Sequence, residues 1–443
     1  MIETMNTPPP LEHSDHESLI QTTLEHLAKE SLTRPVWIRV GQVIDGISRE
    51  AYKHAHLVFE ATRIVYMGTE PPEMKGPADA DLPEYTVLPC LIESHAHLFL
   101  DGAPVNLAER EAYLKQPAEW MLERGKARWG KILQCGIGTV RDAGDKYGVG
   151  LALAAEAKKL RGELAKTPWI DSPGAAIHHK GRYGAFMGET IEEAGGLEPV
   201  VADRVAKGAD RIKLLVSGII NFKAGKVTTP PQMSIEEVRA LVVASKARGR
   251  QTFAHASGMD GVEHSIEGGV TTVEHGFFLT EEQLSKMRDK GIGWVPTFAP
   301  VQSQIDFAKE MGWDGEAVGH LKRIIEGHQK MLCLAEKMGV IVVAGSDAGG
   351  CGVPHGMGFL QELEQMERAG MSAMGILRSA TGVSAEVLQF GEPVGRISAG
   401  CRARFIVTRH DPLETVKNLQ KAKTVVFDGA AVHGVAQVDL AGL

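Results

Sequence analysis

Cysteine is sparse: Cys90, Cys135, Cys333, Cys351 and Cys401 are odd in number, widely scattered and without a CxxC pair. A disulfide framework or a structural zinc knuckle is therefore not expected. Basic runs are missing as well, and so are basic patches interleaved with aromatics. With a net charge of −8, that argues against nucleic acid or an anionic membrane as a partner. No stretch is long and apolar enough to span a bilayer. The opening MIETMNTPPPLEHSDHESL is acidic and proline-rich, where a secretory leader would be basic and then apolar, so the cytoplasm is the expected compartment. A small or neutral ligand is the partner class left.

What is present is a long chain with ample apolar content. At 443 residues and 43% hydrophobic, it exceeds one usual core, which implies a large domain plus a smaller one. Residues Met1 to Leu11 read as a disordered lead. From Ser14 to Leu32 the pattern predicts a helix: Ser14 and Glu17 form a capping box, and Leu19, Ile20, Leu24, Leu27 and Ala28 recur at helical spacing. Such an extension packs either on its own body or on a neighbouring subunit. Between Val36 and Val65 the runs become short and strand-like with glycine punctuation. Beyond them, strand and helix patterns alternate to about Phe390, with helices predicted at Ala118 to Leu133, Leu151 to Leu164, Ser234 to Arg248, Gly261 to Gly268, Glu281 to Lys290 and Ala317 to Met338. Eight strand-then-helix units are the signature of a (β/α)₈ TIM barrel, whose chemistry sits at the C-terminal ends of its strands.

Those ends carry the informative residues. In VLPCLIESHAHL, His95 and His97 stand two apart, and an extended strand turns residues i and i+2 to the same side. GADRIKLLVSG places Lys213 inside a buried-strand pattern, where a charge is otherwise costly. QTFAHAS ends on His255, VTTVEHG on His275, and VIVVAGSDAGG on Asp347. Singly, each has a plain structural reading: a satisfied core histidine, a lysine snorkelling from a strand end, an aspartate N-capping the next helix. Together, at successive strand ends, they read as metal ligands. A second HxH, His54-Ala55-His56, sits in a hairpin-like segment with no partner strands downstream and reads as structural.

The order HxH, Lys, His, His, Asp resembles the binuclear metal-dependent branch of the amidohydrolase superfamily, the prolidase and imidazolonepropionase type, from about Val36 to about Gly429. The resemblance implies a small β-sandwich built from both chain ends, giving three parts: a helical extension over 1–35, a sandwich over 36–87 and 391–443, and a hydrolase barrel over 88–390. It implies two divalent metal ions, zinc first, with cobalt or manganese also accepting this ligand set. His95, His97 and Asp347 would hold one ion and His255 and His275 the other. Lys213 would bridge them as a CO₂-derived carbamate, since an ammonium has no lone pair to give. Asp347 would also act as general base and acid. A homo-oligomer is the family habit. In the closing strands the family usually reads Ala-Asp where this chain has Ala403-Arg404.

Around the metals the chain departs from the dipeptidases of that branch. The loop after the third strand reads Ala176-Ile177-His178-His179 where those usually carry Gly-Gly-His. His179 is taken as the catalytic contact to the substrate carbonyl and His178, Arg182 and Tyr183 as substrate-binding, although which of the two histidines corresponds is open. Two residues after His255, Ser257 replaces a tyrosine that often helps hold a substrate carboxylate. Both departures, with a layout similar to the phenylurea and thiocarbamate herbicide hydrolases, imply metal-dependent hydrolysis of an amide-type C–N bond in a small neutral molecule: a urea, carbamate or thiocarbamate. The alternatives are an Xaa-Pro or Xaa-Arg dipeptidase, and a cyclic amidohydrolase or deaminase. Mononuclear deaminases lack the strand-four lysine, so Lys213 counts against the last. A scaffold that has lost its ligands does not fit a chain that keeps all six.

Overall fold

The computed structural model describes residues 13–160 and 167–434, with side chains from residue 17 onward at the N-terminal end. The expected lead over Met1 to Leu11 and the side-chain pairing of Ser14 with Glu17 lie outside the described residues. The helix His13–Glu30 packs on its own chain: Leu24, Leu27 and Ala28 are buried with Val36, Ile38, Leu57 and Phe405 in one apolar cluster, while Leu19 stays exposed.

That helix covers a seven-stranded sheet to which both chain ends contribute. The order is Ala430–Gly434, Lys423–Phe427, Arg404–Thr408, Ala80–Pro89, Val36–Val43, Tyr52–Glu60 and Arg63–Gly68. Ala80–Pro89 is the seam, antiparallel to the C-terminal Arg404–Thr408 and parallel to the N-terminal Val36–Val43. Phe59 and Phe405 meet edge to face across it, with centroids 5.3 Å apart. His56 belongs to this sheet, its Nδ1 accepting from Trp37 Nε1 at 3.1 Å. Arg404 also has a structural explanation: its guanidinium donates to Asp428 at 2.8 Å and lies over the Phe427 ring, so a buried ion pair stands where the family's aspartate would be.

The rest is the expected (β/α)₈ TIM barrel, and the sandwich-type sheet beside it completes the expected fold class. Seven barrel strands are Leu91–Ala96, Ile137–Asp142, Trp169–Asp171, Ile212–Leu215, Thr252–Ala256, Thr272–His275 and Gly293–Val295. The eighth position, residues 341–348, is irregular yet bonded on both sides: Trp294 N to Ile341 O at 2.8 Å, and Ser94 N to Ala344 O at 3.0 Å. Ile177 bridges the third and fourth positions by exchanging backbone bonds with Lys213 and Leu215.

Helix starts follow their caps. Ser234 with Glu237 opens Ile235–Lys246, and Thr280 with Gln283 opens Glu281–Lys290, both as reciprocal capping boxes. The helix expected over Ala118 to Leu133 is instead two, Ala118–Ala127 and Trp129–Gln134, joined at Arg128, whose guanidinium donates to Leu98 O at 2.8 Å. The helix expected from Leu151 to Leu164 is Val149–Lys159; its expected end falls partly outside the described residues.

If the N-terminal helix is part of the sandwich core, Leu24→Ala empties a buried site and costs about 2–5 kcal/mol. The expected outcome is a lower urea midpoint for the first unfolding transition; an unchanged midpoint would show that the helix is dispensable to that core.

Candidate metal centre

His95, His255 and His275 lie at the C-terminal ends of their strands, His97 just beyond the first, Lys213 within Ile212–Leu215 and Asp347 in the irregular eighth position, and the barrel's closure brings them together. Asp347 N donates to His95 O at 2.7 Å, which sets the eighth position against the first. Gly345 makes the approach possible, because a Cβ there would lie 2.9 Å from His95 N. One ligand atom from each of His95, His97 and Asp347 falls within 4.8 Å of the others. The remaining three are chained to this group by contact. Lys213 Nζ lies 3.4 Å from His95 Nε2, the rings of His95 and His275 are 5.1 Å apart, and those of His255 and His275 are 4.6 Å apart.

The histidines are oriented in one way. His95 Nδ1 lies 2.5 Å from Glu274 Oε2, His97 Nδ1 3.0 Å from Gly144 O, and His275 Nδ1 2.8 Å from Thr297 Oγ1. With each Nδ1 bonded in this way, each Nε2 keeps its lone pair for the centre. His255 Nε2 is buried with no partner among the described residues. Burial holds all four rings far below the ordinary histidine range, His255 down to about 3. They are therefore neutral, which is the form that binds metal.

Lys213 is 2% exposed and has no carboxylate at ion-pair distance among the described residues. Burial pulls its amine down to about 8 against the attraction of Asp347 and Glu274, raising the share of free amine, the form that CO₂ can carboxylate. Without a bound cation, burial pushes Asp347 up to about 7, although Lys213 lowers it. Two of the strand-end residues occupy the left-handed backbone region, His275 at φ 68° and Asp347 at φ 56°. Side chains seldom tolerate that conformation, and it tends to collect at functional sites. An orphaned imidazole nitrogen, a buried amine without a carboxylate partner among the described residues and three convergent lone pairs together make a donor set that fits divalent metal ions.

A model described as the amidohydrolase family matches residues 86–432. The chain belongs to that family. Among its relatives, ochratoxinase from Aspergillus niger is 25% identical over 426 residues, covering 88% of this chain and 84% of that one. An Xaa-Pro dipeptidase solved with methionine in its active site is 26% identical, with a TM-score of 0.77 over 90% of this chain and 99% of that one. Molinate hydrolase, 20% identical with a TM-score of 0.71 over 93% and 96% of the two chains, shares the fold.

In this amidohydrolase the expected substrate residues are placed unevenly. The Tyr183 ring lies against His255, with centroids 5.3 Å apart. Ser257 is buried beside it, its amide donating to Ser217 Oγ at 2.9 Å. His178 turns both ring nitrogens to backbone oxygens, His179 O at 3.0 Å and Gly188 O at 2.9 Å. His179 is held between two carboxylates, Glu192 at 2.7 Å and Glu237 at 3.1 Å. Because Glu237 is also the capping-box residue of Ile235–Lys246, His179 docks its loop onto that helix. Arg182 donates to Pro230 O at 2.8 Å.

Two residues of the centre were not anticipated. Glu274 accepts from Arg141 Nη2 at 2.7 Å and from Thr272 Oγ1 at 2.5 Å, besides meeting His95. Arg141 donates its Nε to Ser94 O and stacks on Phe253. Their signal was there: a lone charge inside VTTVEHG and an Arg-Asp pair closing the apolar run GTVRD, the same kind of anomaly that marks Lys213.

Glu274→Gln keeps the volume but removes the charge that orients His95. Metal affinity, read by competition with a chromogenic chelator, is expected to fall about 10–100-fold. An unchanged affinity would mean that His95 needs no such partner.

Proposed function

We propose that this amidohydrolase hydrolyses an amide-type C–N bond in a small neutral molecule, with two divalent ions held by His95, His97, Lys213, His255, His275 and Asp347. The observation that carries the reading is the convergence of four neutral histidines, each with one nitrogen engaged elsewhere or buried without a partner, on the same mouth as Asp347 and Lys213. Bound there, divalent metal supplies Lewis acidity, polarising a carbonyl and lowering the pKa of water to about 7. Lys213 would join the donor set as a CO₂-derived carbamate, supplying the oxygen donors that an ammonium lacks.

The chain's own residues do the rest. Asp347 accepts the proton of the attacking water and returns it to the nitrogen as the C–N bond breaks, so the products are an acid and a free amine. Tyr183, packed on His255, closes one side of the mouth and keeps water from that ring. His179 and Arg182 hold the third-strand loop in place through Glu192, Glu237 and Pro230. His178 braces the same loop through His179 O and Gly188 O, and Ser257 packs beside His255.

The neutral character of the substrate is supported by where the nearby cations point. Arg110, in the helix Leu107–Leu114, donates to Asp101 O at 3.1 Å and Gly349 O at 3.0 Å, and Arg182 is held by Pro230 O. Both guanidiniums are spent on backbone. A second reading, an Xaa-Pro or Xaa-Arg dipeptidase, draws on the likeness to the Xaa-Pro dipeptidase structure.

Turnover by metal-loaded protein on matched panels, neutral phenylureas, thiocarbamates and anilides against Xaa-Pro and Xaa-Arg dipeptides, separates the two. Amine release from the neutral panel alone is expected; cleavage of dipeptides alone would hand the site to the second reading. Asp347→Asn should lower kcat by at least about 10³-fold while the circular dichroism spectrum stays unchanged. Near-normal turnover in that variant would remove Asp347 from proton transfer. Lys213→Ala is expected to lose metal and activity together, with partial recovery in added short carboxylates; full metal occupancy without them would sink the carbamate bridge.

A further inference from the structure

A cavity of about 690 Å³ opens beside the metal centre without touching it. Its walls are residues 101–106, residues 299–307, residues 352–354 and one side of the helix Met357–Arg368, and none of the six proposed metal ligands lines it. The near wall is rigid. Arg110 ties Asp101 O and Pro104 O to Gly349 O, Cys351 Sγ reaches Val105 O at 3.5 Å, and Gly102 lies so close to Val353 O that a Cβ would not fit. The space is therefore preformed, as small-molecule sites commonly are.

One polar group in it lacks a partner. Gln365 is 6% exposed and lines the cavity, yet its amide makes no hydrogen bond among the described residues. Nor are its amide atoms sealed in protein, as the orphaned ring nitrogens of His255 and His328 are, so they open onto the cavity. An amide held by a buried side chain and open only toward the cavity leaves its carbonyl and NH₂ free for a ligand.

The charge around the rim is net acidic. Asp101, Glu109, Asp306 and Glu364 line the space against Arg368 and Lys417, and Arg368 already pairs with Glu364 at 3.7 Å. Val353, Pro354 and Phe307 supply an apolar side.

We propose that this cavity is a second small-molecule site, for an organic amine in its ammonium form that carries an apolar group. The ammonium donates to the Gln365 carbonyl within the field of Asp101 and Asp306, and the apolar body rests on Pro354 and Phe307. Hydrolysis of an amide-type bond releases an amine, so the reaction's own product is of this class; that link rests on the function proposed above, whereas the site itself does not.

Calorimetric titration of the metal-loaded, full-length protein with benzylamine, benzyl alcohol and benzoate tests it. Benzylammonium is expected to saturate one site per chain and to bind at least about tenfold more tightly than benzoate or benzyl alcohol. Gln365→Leu should weaken it by about tenfold or more, and Asp306→Lys by about threefold or more. Asp306 is exposed, so its variant carries the test should Gln365→Leu fail to fold. No saturable binding, equal affinity for benzoate or benzyl alcohol, or affinity unchanged by the variants that fold would overturn the assignment. Because the titration involves no turnover, it reads the same way whether or not the protein cleaves any member of the substrate panels.

Discussion

The 2.7 Å bond from the Asp347 amide to the His95 carbonyl joins the first and eighth positions of the barrel, on which the candidate metal centre depends. With Ser94 N to Ala344 O at 3.0 Å and His97 N to Ala348 O at 2.7 Å, it keeps the histidine pair and the carboxylate on one edge rather than on two. Several other contacts serve that junction. Glu93 accepts from His95 N at 3.0 Å, Ser346 N at 3.0 Å and Ser346 Oγ at 2.5 Å, stitching both strands through one buried carboxylate. Glu362 braces the neighbouring loop by accepting from Phe298 N and Ala299 N at 2.9 and 2.8 Å. Gly345 leaves room for the strands to touch. The left-handed turn at Asp347 then swings its carboxylate back over His95 and His97.

Such a centre is expensive in free energy before any ion arrives. Lys213, Arg141 and Glu274 are all buried, and a buried charge without a partner costs several kcal/mol. Arg141 and Glu274 offset each other at 2.7 Å and add bonds to Ser94, Thr272 and His95. Lys213 has no such partner, and its amine is driven toward the neutral form. The mismatch is concentrated on the residue whose proposed chemistry needs a free amine, and two charged metal ions would reverse its sign: a carbamate is negative where an ammonium is positive.

The layout of this chain was legible because its candidate ligands are charged or imidazole residues in or just beyond apolar strands, and such residues have no bland place to go in numbers. Strand pattern also located the barrel, since alternation of period two and period 3.6 survives in a single sequence. What could not be read is contact across the barrel. Glu274 lies 133 positions from Arg141 and 179 from His95, and nothing local tells a buried structural charge from a ligand. The loop after the third strand illustrates the same limit. His178 and His179 are adjacent, yet one turns to backbone oxygens and the other to two glutamates, and that difference is set by Gly188, Glu192 and Glu237 folding around them. The break at Arg128 is likewise set from outside its helix, by a bond to Leu98 O.

Whether the mouth selects a neutral substrate reduces to what its arginines would gain by turning. A charge-assisted bond to a substrate carboxylate is worth about 1.5–3 kcal/mol, and abandoning a buried backbone carbonyl costs about 1–3 kcal/mol. Arg110 holds Asp101 O, Pro104 O and Gly349 O at once, so recruiting it would leave more than one carbonyl unpaired and slacken the segment joined to Asp347. The exchange returns little and disturbs the base. Arg182 holds Pro230 O and, at 3.4 Å, Pro231 O; turning it would loosen the loop that seats Tyr183 against His255. A neutral amide asks neither arginine to move, and so keeps the geometry on which the proposed proton transfer by Asp347 depends.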